Sequence, residues 1–363
     1  ISPPALTGPV FTGVSRALHL SKSRYQVEIY FPFYKKSVQK KLWGNVFTHK
    51  EHVDYLNKFY KIQDESNITI RLFHARYIPF LYSTICSAKV FRSILHCSST
   101  LYIIEDNALF LLNFRIFRYI RKGSLQLLYI MQTDYLNLLP NPIGSIFRIY
   151  YFIVFFLLRN RVTGVLIARH FVPGVFFKLP NIFYLRLHGV RNEFLDHELI
   201  ASTGKVYMMC RLCDRHKNFF PIVTWLKKLS LLHVYGEGRD RKKLSCYPHV
   251  KLYGNSYDVI NDLADKSIYI SSSSKEGVCT ATLEAIFMNK HVLIRKAPCN
   301  EMFEKYVNVH FFSSKRNFKA KLIELTQSVP KYQCRDEPMS WESANARLVK
   351  FIENMKSNRG NDE

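Results

Sequence analysis

The stretch SIYISSSSKEGVCTATLEA, residues 267–285, decides the fold of the second half of the chain. The apolar run SIYI predicts a buried strand, the serines after it predict a loop, and TATLEA has the period of a helix. Glu276 stands at the predicted junction between loop and helix. Glu284 stands eight positions further on, near the same predicted helix face. The stretch therefore predicts one strand–loop–helix unit with one carboxylate at its mouth and another two helical turns inside it.

The same alternation of strand and helix continues on both sides of this stretch. Short apolar strands alternating with helical patterns predict a parallel, doubly wound sheet. The predicted helices cover 218–229, 256–266, 300–306 and 317–327. The predicted strands cover 205–210, 231–236, 250–254, 267–270, 291–294 and 309–312.

The first half of the chain alternates less cleanly. Helices are predicted at 52–62 and 147–158, and strands at 26–31, 68–73, 101–104, 125–131, 162–168 and 181–187. We therefore expect an α/β protein with two doubly wound Rossmann-like domains facing a central cleft, where the carboxyl ends of the strands hold a ligand. The expected domains are 1–197, 198–338 and a terminal helix, 339–363, that crosses back to the first.

The chain is strongly basic. Its 363 residues include 52 Lys and Arg against 28 Asp and Glu, for a net charge of +24. Such a balance is typical of proteins that meet nucleic acid, anionic membranes or phosphorylated substrates. No zinc-finger, RNA-recognition or homeodomain pattern is present, which argues against nucleic acid as a partner. Eight scattered cysteines indicate reduced thiols in a cytosol-facing or plastid-like compartment.

A zinc site is one alternative use of the cysteines. Cys210 and Cys213 form a C-x-x-C pair, with His216, Cys246 and His249 nearby. No second C-x-x-C follows, and the first pair lies where a strand should end, so the pattern does not favour zinc.

The first half also carries segments that suit a membrane surface. The apolar run 149–158 is too short to span a bilayer and is bracketed by Arg148 and Arg159. Together with the basic, aromatic segments 34–43 and 116–123, it predicts peripheral contact with anionic lipid, although core or solvated helices would show the same patterns. The chain starts at Ile1 and shows no signal peptide, which is compatible with a targeting segment removed or left out.

The two glutamates suit a nucleotide sugar. A helix N-terminus offers free N–H groups to a phosphate, and carboxylates accept hydrogen bonds from sugar hydroxyls. One glutamate could hold a transferred sugar and the other a ribose. Alternatively, Glu276 only favours the helix dipole and Glu284 is solvated.

Two neighbouring stretches carry similar alternatives. Gly236 and Gly238 follow a strand, either as donor-binding residues or as a tight turn. Arg211 and Lys217 could hold a diphosphate, or belong to a solvated basic loop.

In combination, these features resemble a known family. R-L with a following Lys, then Y-G-x-G, then E-G-x(6)-E-A, resembles the nucleotide-sugar domain of family 4 glycosyltransferases, which have the GT-B architecture. The segments carrying the closer resemblance, to the digalactosyldiacylglycerol synthases of plants and algae, are LTGPVFTGVSRALHL (6–20), MQTDYLNL (131–138), LHGVRNEFL (187–195), NEMFEKYVN (300–308) and SWESANARL (340–348).

The resemblance implies a retaining transfer of galactose from UDP-galactose to monogalactosyldiacylglycerol, without a metal, at a plastid-type envelope. It implies that Glu276 holds the galactose hydroxyls, Glu284 the ribose, and Arg211 and Lys217 the diphosphate. Gly8 and its neighbours would form a loop beneath the phosphates. The remaining implied donor-binding residues are Gly277, Val278, Cys279, Thr280, Gly236 and Gly238.

The sequence departs from the motifs of the family at Gln132 and Cys210. Gln132 stands where the family has a histidine, and a glutamine cannot take up a proton at neutral pH. Cys210 replaces the glycine that usually precedes Arg211. These departures keep two alternatives open, namely another family 4 transferase with a different donor or acceptor, and a catalytically degenerate scaffold bound to a membrane.

Overall fold

The computed structural model divides the chain into two compact units. The first unit comprises Pro3–Leu187 and Glu342–Glu363, and the second comprises His188–Trp341 with Ile1–Ser2. The structure describes residues 8–23, 25–43, 46–60, 62, 67–78, 83–86, 101–105, 127–131, 143–166, 179–195, 204–212, 217–256, 258–330 and 339–360.

The described strands of the first unit form two sheets. Strands β1 and β2 run parallel, β3 adds antiparallel to β2, and the second sheet is parallel throughout in the order β4-β5-β6-β7. The strands are β1 (Val27–Phe33), β2 (Ile68–Ile78), β3 (Ser83–Cys86), β4 (Tyr102–Glu105), β5 (Leu127–Met131), β6 (Val162–Leu166) and β7 (Ile182–Tyr184). The helices described before β7 are α1 (Gly8–Lys22), α2 (Lys36–Trp43), α3 (His49–Tyr60) and α4 (Ile143–Leu157).

In the part of the second unit that the structure describes, six strands form one parallel sheet. Its strands are β8 (Val206–Met209), β9 (Leu232–Tyr235), β10 (Val250–Gly254), β11 (Ile268–Ser271), β12 (His291–Arg295) and β13 (Val309–Phe312). The α-helices that begin in this unit are α5 (Asn192–Leu195), α6 (Phe219–Leu226), α7 (Arg241–Leu244), α8 (Val259–Leu263), α9 (Thr280–Phe287), α10 (Lys315–Thr326) and α11 (Trp341–Gly360). A 3-10 helix covers Pro298–Phe303.

Alternate side chains of the central strands build the core of the second unit. Val206 and Met208 of β8 pack with Ile268 and Ile270 of β11 against α6 and α10. The opposite face carries the buried rings of Tyr207 and Tyr269, whose centroids lie 5.4 Å apart. Buried on both faces, these strands are the apolar runs that the sequence predicted as strands.

Two predicted helices of the second unit differ from those observed. The helix predicted from Ser256 begins at Val259, because the carboxylate of Asp258 accepts a hydrogen bond from the Asn261 N–H and caps the helix there. The helix predicted at 300–306 is instead the 3-10 turn that starts at Pro298.

The terminal helix α11 packs within the first unit. The Asn345 side chain donates a hydrogen bond to the Ser15 carbonyl. The centroids of the Phe351 and Phe183 rings lie 5.1 Å apart. Ala344, Leu348 and Ile352 are buried. The chain therefore returns to the first unit after completing the second.

Candidate nucleotide-sugar site

The site lies in the second unit, at the point where the strand order reverses. The sheet order is β10-β9-β8-β11-β12-β13, so β8 and β11 are neighbours while the chain continues outward from each in opposite directions. Loops that leave such a pair at their carboxyl ends diverge and open a crevice, which is where open α/β sheets bind ligands. Arg211 and Lys217 follow β8, and Glu276 follows β11.

Lys217 and Glu276 form an ion pair in this crevice. The Lys217 Nζ lies 2.5 Å from the Glu276 Oε1, and the two side chains are 15% and 11% exposed. The sequence patterns indicate that these residues bind different parts of a donor, but they do not predict that the two residues contact each other. The pair joins the two loops of the switch point directly.

The electrostatics of the pair keep the lysine charged. Burial is the largest single effect and acts to lower the pKa of Lys217. The Glu276 carboxylate, Cys279 and Cys210 together outweigh it, so the pKa lies above its ordinary value. A cation held in this way is suited to receive an anionic diphosphate, and Glu276 would then be released to other partners.

The backbone of both loops is held by polar side chains that the sequence analysis did not single out. The Ser272 Oγ lies 2.8 Å from the carbonyl oxygens of both Lys217 and Asn218. The buried Asn300 side chain donates to the carbonyls of Ser273 and Arg295. These contacts fix where the ion pair stands. The N-E segment at 300–301 was the only signal for Asn300 in the sequence.

Helix α9 begins beside the ion pair. It starts at Thr280, and Cys279 at the N-cap position makes no side-chain capping hydrogen bond. The first N–H groups of a helix have no partner within the helix, so this end presents donors and a positive dipole to an anion. Gly277, Val278 and Cys279 are buried in the approach to the helix, and Thr280 is half-buried.

One prediction about the two glutamates is wrong. Because α9 starts at Thr280, Glu276 lies in the preceding loop, and it shares no helix face with Glu284.

Glu284 lies within α9, in a different environment. Burial raises its pKa to about 7, a shift that Arg191 opposes and Glu193 reinforces. Its carboxylate makes no hydrogen bond or ion pair with any residue in the described part of the chain. The buried hydroxyl of Tyr207 also has no hydrogen-bond partner there, and Glu284 contributes, after burial, to the raised pKa of that tyrosine.

Arg191 and Glu193 are functional candidates that sequence reasoning missed. Helix α5, which contains Glu193, packs against α9, and the Arg191 guanidinium pairs with the Glu193 carboxylate at 2.5 Å. Arg191 also lies 4.7 Å from the centre of the Phe194 ring. The segment LHGVRNEFL had been noted only as a resemblance, and it could have directed attention to Arg191.

The glycine turn after β9 has a packing explanation. Gly236 has φ 134°, and a Cβ there would lie 2.0 Å from the Cys210 carbonyl oxygen, so only glycine allows this approach to the end of β8. Gly238 belongs to the same turn, which leads into α7. Arg211, immediately after Cys210, is exposed. No contact in the described residues brings either glycine to the ion pair.

Two predicted site residues belong to the first unit. Gln132 lies outside the described residues. Gly8 is the first residue of α1, so the phosphate loop predicted around it would have to precede that helix, in residues that are not described.

Cys213 and His216 of the zinc alternative are likewise not described. In the described ranges, no group of three His, Cys, Asp or Glu side chains could hold a metal ion.

Sequence comparison supports the resemblance seen in the motifs. The chain is 27% identical to digalactosyldiacylglycerol synthase 1, chloroplastic, of Glycine max over 199 residues, which is 48% of this chain and 25% of that protein. It is 24% identical to synthase 2, chloroplastic, of Arabidopsis thaliana over 204 residues, covering 47% and 41%. The chain thus spans less than half the length of these relatives. No family model matches it.

Solved structures establish the class of fold. Anabaena Alr3699/HepE in complex with UDP superposes with a TM-score of 0.64 at 12% identity, covering 97% of this chain and 98% of that one. Sucrose-phosphate synthase of Thermosynechococcus elongatus gives a TM-score of 0.61 at 9% identity, covering 97% and 94%. The protein therefore has the GT-B glycosyltransferase fold. Within that class, its sequence is similar to the digalactosyldiacylglycerol synthases.

Proposed function

We propose that the protein is a retaining glycosyltransferase that moves galactose from UDP-galactose to monogalactosyldiacylglycerol at a membrane surface. The observation that carries the proposal is the Lys217–Glu276 pair at the switch point, beside the uncapped start of α9. The galactolipid part rests on the similarity to curated relatives with that name. Their chloroplastic location suggests a plastid-type envelope for this chain too.

The proposed donor chemistry follows from the side chains. The diphosphate is held by Lys217, by Arg211 and by the first N–H groups of α9, so Lys217 exchanges Glu276 for phosphate oxygens. Glu276 then accepts hydrogen bonds from the galactose hydroxyls. Glu284, which has no hydrogen-bond partner among the described residues, accepts from the ribose hydroxyls. These groups neutralise the diphosphate, and the proposal therefore includes no metal.

The proposed transfer is a single substitution at the anomeric carbon. The bond from galactose C1 to the β-phosphate oxygen breaks, and UDP leaves with the electron pair. A hydroxyl oxygen of the acceptor forms the new bond to C1 from the same face, and its proton passes to the departing phosphate oxygen. Lys217 and the α9 N–H groups stabilise the charge that develops on that oxygen.

The test is transfer of labelled sugar to monogalactosyldiacylglycerol in mixed micelles, from UDP-galactose or from UDP-glucose, with and without a metal chelator. We expect labelled digalactosyl lipid from UDP-galactose alone, in the presence of chelator. Labelled product from UDP-glucose would show that the protein uses UDP-glucose as a donor, contrary to the proposal. Tight UDP binding without lipid product would require a different acceptor, and absence of UDP binding by folded protein would favour the scaffold alternative.

A further inference from the structure

Helix α4 of the first unit carries an apolar face that points away from the core. Its inner face is well packed, since Val154 and Phe155 are buried, and so is Leu158, the residue after the end of the helix. The Phe155 ring meets Tyr129 of β5 and lies so close to Gly164 of β6 that a Cβ there would be 2.9 Å from it. The helix is therefore fixed against the sheet, and this packing determines which of its residues form the outer face.

The outer face consists of large hydrophobic side chains that are 46% to 63% exposed, namely Ile146, Ile149, Ile153, Phe156 and Leu157. At 3.6 residues per turn, these positions fall within an arc of about 100°. We call them the outer stripe. A surface helix ordinarily carries polar side chains there, and a contiguous exposed apolar patch marks an interaction site.

The charged residues in the sequence around the outer stripe indicate which kind of partner binds it. Residues 135–190 contain no Asp or Glu, and their basic residues are Arg148, Arg159, Arg161, Arg169, Lys178 and Arg186. The exposed Arg159 lies at the end of the stripe, with its guanidinium 5.0 Å from the centre of the Phe156 ring. An exposed apolar face with an arginine at its end, on a stretch of sequence that contains no acidic residue, matches the boundary between acyl chains and anionic headgroups.

The geometry of the helix favours lying on a membrane over crossing it. Fifteen residues make about 22 Å of helix, less than the ~30 Å hydrocarbon core. None of the described helices is long and apolar enough to span a bilayer. We propose that the outer stripe of α4 inserts into the surface of an anionic lipid bilayer. The proposal deepens the proposed function, on which the choice of a membrane partly rests.

The test measures binding of the full chain to vesicles of equal parts phosphatidylcholine and phosphatidylglycerol, with pure phosphatidylcholine for comparison. The variant Ile149→Gln with Ile153→Gln should bind the anionic vesicles at least about tenfold more weakly, because two apolar side chains no longer leave water. The matched control is Ile323→Gln on α10 of the second unit, where the isoleucine is 50% exposed. It should bind as the unaltered chain does.

A further variant tests the charge. Arg159→Gln should weaken binding to anionic vesicles but not to pure phosphatidylcholine, and the difference should shrink as salt is raised. Unchanged binding by the double isoleucine variant would overturn the proposal. So would a dimer in sedimentation analysis, without lipid, that this variant dissociates, because the stripe would then be covered by a second copy of the chain.

Failure of this inference is separable from failure of the proposed function. UDP binding and sugar transfer to a short-chain, water-soluble monogalactosyl lipid require no bilayer, and the stripe variants should leave both unchanged. If the variants lose vesicle binding and no chain transfers sugar, the stripe docks on lipid but the function is wrong. If transfer is robust and vesicle binding is insensitive to the stripe, the function stands without this docking surface.

Discussion

Lys217 and Glu276 neutralise each other while the crevice holds no nucleotide sugar. Glu276→Gln removes the negative partner and leaves a largely buried ammonium to be neutralised by an incoming diphosphate. We expect UDP to bind the variant as tightly as the unaltered protein, or up to about tenfold more tightly. Transfer should fall by at least about a hundredfold, because the amide no longer accepts strong hydrogen bonds from the sugar in the transition state.

Calorimetric titration with UDP and initial rates of transfer would measure the two effects separately. Glu301→Gln is a suitable control, since Glu301 is exposed on the neighbouring 3-10 turn and should change neither quantity. Parallel losses of UDP affinity and rate in the Glu276 variant would mean that the ion pair serves structure rather than exchange.

The raised pKa of Glu284, about 7, predicts a pH dependence of nucleoside binding. Ribose hydroxyls donate best to the ionised carboxylate, so binding requires loss of a proton below that pKa. The affinity for uridine should therefore fall as the pH drops below about 7, by up to about tenfold per pH unit. Uridine is the right probe because it has no phosphate that titrates in this range, and Glu284→Gln should abolish the dependence.

A substitution at Arg191 tests the titration of Glu284 in a second way. Its guanidinium opposes the rise in the Glu284 pKa, so Arg191→Gln should move the midpoint of uridine binding to higher pH, while Arg191→Lys should restore it in part. A uniform loss of affinity at every pH would assign Arg191 a structural role only.

Elements of the second unit follow the sequence closely, and those of the first unit less so. Strands such as β8 and β11 are apolar because both of their faces are buried, so composition alone identifies them. Strand β3 was missed because it is four residues long and depends on antiparallel pairing with β2, a contact that local periodicity does not encode. Helix α1 was also missed, since GPVFTGVSRALHLSK was considered only as a motif.

Helix α3 of the first unit should make that unit sensitive to acid. His52 is buried beside the Phe33 and Phe47 rings, and burial, with a smaller effect of His49, lowers its pKa to about 4. The unfolded chain takes up a proton near the ordinary histidine pKa of about 6.5, whereas the folded chain does so only near 4. Stability is therefore lost as the pH falls from about 6.5 toward 4, by a few kcal/mol at most.

Hydrogen exchange at about pH 7.5 and about pH 5.5, corrected for the intrinsic rates, would detect this loss locally. Protection of β1 and α3 should fall at the lower pH. In His52→Phe, which keeps an aromatic ring without a titrating group, it should not. If both chains lost protection equally, the acid sensitivity would originate elsewhere.

At the scale of the whole molecule, residue types predicted the chemistry of the site better than its connections. Lys217 and Glu276 were candidates because each suits part of a donor, yet they lie 59 positions apart in the chain, and only the order of β8 and β11 in the sheet makes them neighbours. Arg191 lowers the pKa of Glu284 electrostatically because α5 packs on α9, and no local pattern encodes that packing. Long-range contacts of this kind depend on the order of strands and the packing of helices, which local sequence patterns do not predict.

The return of α11 to the first unit yields a prediction about how stability is distributed in the chain. Leu348 is 1% exposed on this helix, and Leu348→Ala should destabilise the first unit by about 3 kcal/mol through lost burial and a cavity. Although Leu348 follows the second unit in sequence, hydrogen exchange should accelerate in β5, β6 and β7, while the six-stranded sheet stays protected. Glu353→Ala, at an exposed position on the same helix, should change neither. Faster exchange in β8 and β11 instead would show that α11 stabilises the second unit, contrary to the contacts of Asn345 and Phe351.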